Sequence, residues 1–492
     1  METGPVNYKP LRHIAICGAG LAGQMCLAAL KTYLPKHVKI TLIETPHDRD
    51  ADILYGTVTD AGAYAFNLSV GVTEPDVVLQ SNTAFSLGTH FADWGDDSLN
   101  WMQSFHLPFP IFDRNGFSAT LIAQNITDAA PYIISSQMAA KGAFVHPPED
   151  AASPLSRAEY GYQFDPAHYG ALFSRAAGPQ SCTYIQGEIA KVERSDSEIT
   201  KLCLTNGERI KADLFIDCTG PSAKLLFALG AKAPAGRALT ASYSYAPSAQ
   251  LGPAKRAVTM TEFGWQSETP LQDRILVMTV SDPKSNDDAL AAHKHPIAGS
   301  CQAFSGARER AWMGNCLALG QSSGVIDSVS TAPMTLLQRD IQRLLSLIPV
   351  TTDMSVEARE YNRRFANDFE HAKLFTRSVF ATSNTRKSPY WDALTEVDMP
   401  EKLERKITQF KRRGLLVSYD LEPFTPQDWT IMHFGMKRAP QRDHASTLAR
   451  PTPETTRQLN VMHAAIVDIL PKLPPHHIYM AGLKRHLMKR RV

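Results

Sequence analysis

A short apolar strand that runs into G-x-G-x-x-G and out into a helix leaves a chain few folds to choose from. Here His13-Ile14-Ala15-Ile16-Cys17 leads into Gly18-Ala19-Gly20-Leu21-Ala22-Gly23. A helix-like run continues to Leu34, and a second apolar stretch, Val38 to Glu44, follows. Each part has a task in gripping a dinucleotide. Gly18 lets the chain turn off the strand, Gly20 lets a pyrophosphate approach the backbone, and Gly23 lets the helix pack closely. The helix N-terminus offers free N–H groups and its positive dipole end to phosphates. Glu44, 21 positions past Gly23, stands where a carboxylate accepts ribose hydroxyls. A lone G-x-G-x-x-G is often an ordinary glycine-rich turn. Strand, glycines, helix, strand and acid in this order supply the context that favours a dinucleotide site.

The 492 residues are enough for two or three domains. With 20% charged residues and a net charge of +2, nothing global points to nucleic acid or a membrane surface. The basic run Lys484 to Arg491 has no interleaved aromatics and reads as a solvated end. Seven cysteines lie scattered without C-x-x-C spacing, several inside apolar runs, which reads as buried thiols in a reducing compartment and not as metal ligands. No leader-like or membrane-spanning run is visible, so the expectation is a cytoplasmic protein.

Asn82 to Trp94 alternates apolar and polar residues like one half-buried strand, and Trp94, Trp101, Phe105, Phe109 and Phe112 suit a pocket for a flat substrate. Asp165-Pro166 opens a helix as N-cap and first-turn proline. Strands are expected over 183–194 and 198–205, with Asn206-Gly207 as a tight turn. Asp213 to Gly220 is a further strand ending in T-G. A meander feeding such a strand is what a glutathione-reductase-type FAD domain adds to its first βαβ unit. A third strand, within Arg310–Gly324, leads to a helix over about 333–347. The expected fold is thus α/β: a glutathione-reductase-like, Rossmann-type FAD-binding domain made of residues 1–60, 156–235 and 301–350. Residues 61–155 and 236–300 form an inserted substrate module, and 351–492 a mostly helical C-terminal region.

On these blocks, together with Tyr162-Gln163-Phe164-Asp165, Leu225-Leu226, Ala311-Trp312-Met313-Gly314-Asn315-Cys316, Glu360-Tyr361-Asn362-Arg363-Arg364 and Ser388-Pro389-Tyr390-Trp391, the chain resembles the flavin-dependent tryptophan halogenases from His13 to about Trp391. The resemblance implies FAD held by Gly18, Ala19, Gly20, Leu21, Ala22, Gly23, Glu44, Ile189, Thr219, Gly220, Gly320, Ala332, Pro333 and Met334. It also implies a partner flavin reductase that supplies reduced FAD, and an aromatic substrate near Gln103, Phe105 and Trp265. In that family hypohalous acid formed at the flavin travels down a tunnel to a lysine beside the substrate. Ser86 stands in that lysine's place, and a serine cannot form a chloramine. The family's E-S-T-G turn aligns with Ser330-Thr331-Ala332-Pro333, which puts Ser330 at the catalytic glutamate and a residue without an N–H, Pro333, at the halide site. W-x-W-x-I-P aligns with Trp265 to Pro270 and loses its second Trp. Gln103 replaces a substrate-positioning histidine.

The expectation is therefore a halogenase-like flavoprotein that oxygenates an aromatic or indolic substrate and does not halogenate. A two-electron dehydrogenase, an active tryptophan or indole halogenase, an enzyme acting on a side chain of a partner protein, and a non-catalytic flavin binder are the alternatives. Candidate proton-transfer groups are His90, His106 and Asp327, although for each an exposed or structurally bonded group is the commoner case.

Overall fold

The computed structural model describes residues 9–45, 51–107, 116–150, 153–178, 182–440 and 453–490. Its first unit is β1 (His13–Cys17), α1 (Leu21–Tyr33) and β2 (Lys39–Glu44). Both strands are apolar on both faces because they lie inside a six-stranded sheet. β1 pairs in parallel with β2 on one side and with Leu214–Asp217 on the other. Cys316–Ala318 extends the sheet beyond Leu214–Asp217. The turn after β1 needs glycine for steric reasons. Gly18 has φ +105, and a Cβ there would lie 2.1 Å from the Cys218 carbonyl oxygen. A Cβ on Gly23 would lie 1.8 Å from Gly18 O, so α1 seats directly on its own turn.

Thr183–Gln186 departs from the expected meander. It joins the large sheet as an edge strand parallel to β2, and the meander proper starts at Ile189. The Ile189–Ser195, Glu198–Leu204 and Arg209–Ile210 strands form a separate three-stranded sheet. Asp165 caps the Pro166–Ala177 helix as its sequence indicates, accepting from Ala167 N at 3.0 Å.

The alternating stretch 82–94 is not one strand. It divides into β3 (Ala84–Ser86) and β4 (Thr89–Trp94), which belong to different sheets. The break is at Gly88, whose φ is +134 and whose missing Cβ would lie 2.1 Å from Gln103 O. β3 pairs with Gly161–Gln163, and β4 lies between β5 (Leu99–Gln103) and Arg256–Met260 in a seven-stranded sheet. The other strands of that sheet span Ala238–Phe304. Three helices close the region above it. Ala332–Ser346 packs on the 25-residue helix Ser355–Val379, and Pro426–Gly435 packs on β5. A capping box starts the latter helix, with Thr425 Oγ1 and Asp428 satisfying each other's backbone N–H. No helix among the described residues is long and apolar enough to cross a membrane. Cys17, Cys26, Cys218 and Cys316 are buried.

Candidate active site

Between β4, β5 and the three helices lies a cavity of about 350 Å³, within the range of small-molecule sites. Thr89 and Phe91 reach it from β4, and Gln103 and Phe105 from β5 and the residues after it. Phe375 and Val379, four residues apart, come from one face of the Ser355–Val379 helix. Asp428 and Met432 do the same from Pro426–Gly435. Phe424 stacks on Phe375 with ring centroids 3.8 Å apart, which gives one side a flat aromatic wall. Ser330 and Thr331, at the N-terminus of Ala332–Ser346, line the opposite end.

The cavity carries three carboxylates from distant parts of the chain: Asp60, Glu159 and Asp428. Asp60 Oδ2 accepts from Thr335 Oγ1 at 2.6 Å and Oδ1 from Gly62 N, so it sits against the first turn of Ala332–Ser346. Burial raises its pKa against those hydrogen bonds. Burial also pushes Asp428 up to about 7, and the negative charges of Asp60 and Glu159 add to the rise. No lysine or arginine lines the cavity among the described residues.

His106 lines the cavity, but both of its ring nitrogens are engaged. Arg157 can only donate, so Nε2, 3.0 Å away, accepts, and Nδ1–H donates to Glu159 at 3.0 Å. This arrangement fixes one neutral tautomer and leaves no nitrogen for proton transfer. His90 is on the other face of β4, since Thr89 and Phe91 point into the cavity and side chains alternate. Burial and nearby Lys255 lower its pKa.

Asp327 lies outside the cavity lining. It accepts from Arg237, from Tyr390 Oη at 2.9 Å, from Trp265 Nε1 at 3.0 Å and from Val329 N at 3.1 Å. It ties four elements together with no lone pair left for chemistry. Trp265, expected at the substrate, is fully buried behind this network. Trp94 and Trp101 are also core, the first donating to Val379 O and the second stacked on Phe91 at 4.2 Å. Phe109 and Phe112 lie outside the described residues. Ser86, at the end of β3, is fully buried. Its hydroxyl closes on its own chain, 3.2 Å from Gly88 N and 3.3 Å from Gly88 O, and it does not line the cavity.

Gln103 contributes differently. Its Nε2 donates to Asp428 O at 3.0 Å, which leaves Oε1 buried without a partner. Nothing in the sequence singled out Asp60, Glu159, Asp428 or Phe424. The one local signal, Thr425 three residues before Asp428, announces a helix start and says nothing of a cavity.

The nucleotide end was tested on its own donors. Gly20 is the N-cap of α1, with Ala19 and Ala22 buried beside it. Glu44 ends β2, held by Tyr184 and by Gln186 at 3.1 Å. Thr219 and Gly220 follow the Leu214–Asp217 strand, and Gly220 has φ +73. Ile189 opens the meander. A pyrophosphate fits the turn and helix end, with one competitor present: Asp52 Oδ2 accepts Leu21 N–H at 2.8 Å. Gly320, with φ +56, faces Tyr55, whose hydroxyl would lie 2.2 Å from a Cβ there. In the first turn of Ala332–Ser346, Ala332 N–H is taken by Ser330 Oγ at 3.3 Å, Pro333 has no N–H, and Met334 follows.

A parallel nucleotide-binding sheet with an attached aromatic cavity defines a class, the Rossmann-type flavoproteins. The family model for tryptophan halogenases matches residues 13–452, so the chain belongs to that family. It is 22% identical to a 7-chloro-L-tryptophan 6-halogenase, KtzR, of Kutzneria sp. (strain 744), over 96% of this chain and 99% of that protein. It is 22% identical to a tryptophan 6-halogenase, SttH, of Streptomyces toxytricini, over 82% and 85%. Among solved structures, BrvH, a flavin-dependent halogenase from Brevundimonas sp. BAL3, is 27% identical with a TM-score of 0.85, covering 96% of this chain and 99% of that one. The protein is a flavoprotein oxidoreductase whose cofactor is FAD.

Proposed function

We propose that this protein is an FAD-dependent monooxygenase of an aromatic or indolic compound, fed with reduced FAD by a partner flavin reductase. Bound and reduced, FAD would supply the two electrons that activate O2, with one oxygen atom going to the ring and the other to water, and the chain's residues hold and orient the acceptor ring. What carries the reading is the state of the halogenating positions. Ser86 is closed on Gly88 outside the cavity, and Ser330 offers a hydroxyl where a carboxylate is expected. A halide at the N-terminus of Ala332–Ser346 finds Pro333 without an N–H, Ala332 N–H occupied and the Asp60 carboxylate beside Thr335. Phe91, Phe375 and Phe424 take a flat ring, and Asp428, held near neutrality, can accept a proton from it.

A second reading, a halogenase of an aromatic or indolic compound, is favoured by family membership and by Asp60 and Asp428, which can take over ring deprotonation from the missing glutamate. One experiment separates the two. The protein is supplied with FAD, a flavin reductase, NADH, O2, bromide and indole, and products are analysed by mass spectrometry against a protein-free control. Enzyme-dependent incorporation of oxygen without bromine supports monooxygenation. Brominated indole above the control rejects it in favour of the second reading.

A further inference from the structure

The cavity has an unusual imbalance of hydrogen-bonding groups. Its acceptors are the carboxylates of Asp60, Glu159 and Asp428 and the unpartnered Oε1 of Gln103. Two of its side-chain donors are used already. Thr425 Oγ1 goes to Asp428 at 2.7 Å, and His106 Nδ1–H goes to Glu159. The Gln103 amide orientation is fixed, because its Nε2 must be the group that meets the Asp428 carbonyl, so Oε1 is the end left over. A buried acceptor with no donor costs free energy that a ligand N–H recovers.

Charge points the same way. Arg157 lies behind His106 and offsets Glu159, and Arg339 is already paired with Asp368 at 2.8 Å. Asp60 and Asp428 therefore face the cavity without a cation of their own among the described lining residues. At the nearby helix N-terminus, the Ala332 N–H is taken by Ser330 and Pro333 has none to offer.

We propose that the substrate of this cavity is an arylalkylamine, a flat ring bearing a protonated amine and no carboxylate. The proposal rests on the aromatic-substrate reading above and narrows it. The ring lies against Phe375 and Phe424, where the apolar wall is. The ammonium, with three donors and no acceptor, meets the Asp428 carboxylate and the unpartnered Gln103 Oε1, both from residues that line the cavity. An amino acid would bring a carboxylate into a cavity that already holds three, and like charges in a partly dry site repel strongly.

The test measures equilibrium binding to the FAD-loaded protein, with no turnover. Tryptamine, indole and indole-3-propionate are titrated by calorimetry at pH 8. Tryptamine is expected to bind at least tenfold more tightly than indole, and indole-3-propionate more weakly than indole. The tryptamine advantage is expected to shrink several-fold between 50 and 500 mM salt. Asp428→Asn, checked for folding by circular dichroism, should lose most of the tryptamine advantage. Because the ligand series and the salt series use the wild type, a variant that fails to fold does not remove the test. Indole and tryptamine binding equally well, or the propionate binding best, overturns the proposal alone. No binding by any of the three overturns the aromatic-substrate reading itself.

Discussion

Replacing Trp265 with Phe separates a structural tryptophan from a substrate-binding one. The resemblance to the halogenases puts Trp265 against the substrate, whereas its indole N–H is spent on Asp327 at 3.0 Å and its ring is fully buried. Phe at this position removes one hydrogen bond to a charged acceptor, about 1.5–3 kcal/mol. The smaller ring leaves a void that adds about 1 kcal/mol. Asp327 keeps Arg237, Tyr390 and Val329 N, so the network thins without collapsing. With an unfolding entropy of about 2 cal/mol/K per residue, a chain of this length loses about 1 °C of Tm per kcal/mol. The expected outcome is a Tm lower by about 2.5–4 °C, measured by differential scanning fluorimetry on the FAD-loaded protein. Indole and tryptamine affinities should stay within twofold of the wild type. A Tm unchanged within 1 °C together with a tenfold loss of ligand affinity would refute the argument and return Trp265 to the substrate site.

Asp52→Asn removes the carboxylate that competes with a pyrophosphate for Leu21 N–H, so FAD affinity should rise about three- to fivefold, equivalent to 0.5–1 kcal/mol of charge at a helix end; fluorescence titration of the apoprotein checks it, and an unchanged or weaker affinity counts against the competition. Asp428, with its pKa up to about 7, keeps in the folded protein a proton that the unfolded chain releases near pH 4. Stability should therefore fall as pH rises from about 4 to 7 and level off above, with Asp60 adding in the same direction; Tm of the wild type should drop over pH 5–7 more than that of Asp428→Asn, and parallel curves would contradict it. Ser86→Lys should not give brominated indole by mass spectrometry, because an ammonium reaching the cavity pairs with Asp60 or Asp428 and one that does not reach it stays buried. A bromoindole yield above that of the wild type would show that Ser86 does hold the lysine's place in function.

Where function depends on local chain geometry, it was legible in the sequence. The β1–α1–β2 unit, the Asp165 cap and the strand ending at Thr219-Gly220 are set by residues within a few positions of one another. Glycine spacing and capping chemistry report such arrangements directly. The stretch 82–94 misled for an equally local reason. Its alternation continues across Leu87-Gly88, and only the approach of Gln103 O, from a strand not yet placed, makes a chain break of Gly88. Which face of β4 meets the cavity, and so the place of His90, was not readable from alternation alone. Nor were the places of Trp265 and Asp327 readable, because their mutual bond joins residues 62 positions apart.

The acids of the cavity were out of reach for a further reason. Asp60 follows a loop, Glu159 precedes a strand, and Asp428 reads as a helix-capping residue, each with an adequate local explanation. Their common property, a shared field in one cavity, exists only once the Pro426–Gly435 helix is docked on β5 through Gln103 and through Gln427, whose Oε1 accepts Leu107 N–H at 2.7 Å. On the monooxygenase reading proposed above, Ser86 and Ser330 stand where halogenating groups are expected. Beside three carboxylates they describe a change of sign. The cationic reagent-handling side chain is absent from the cavity, and carboxylates stand at both of its ends: Asp60 at the first turn of Ala332–Ser346 and Asp428 beside the aromatic wall. Under the two proposals above, a cavity lined in this way disfavours anions, so the residues offered there against halogenation also argue for a cationic substrate.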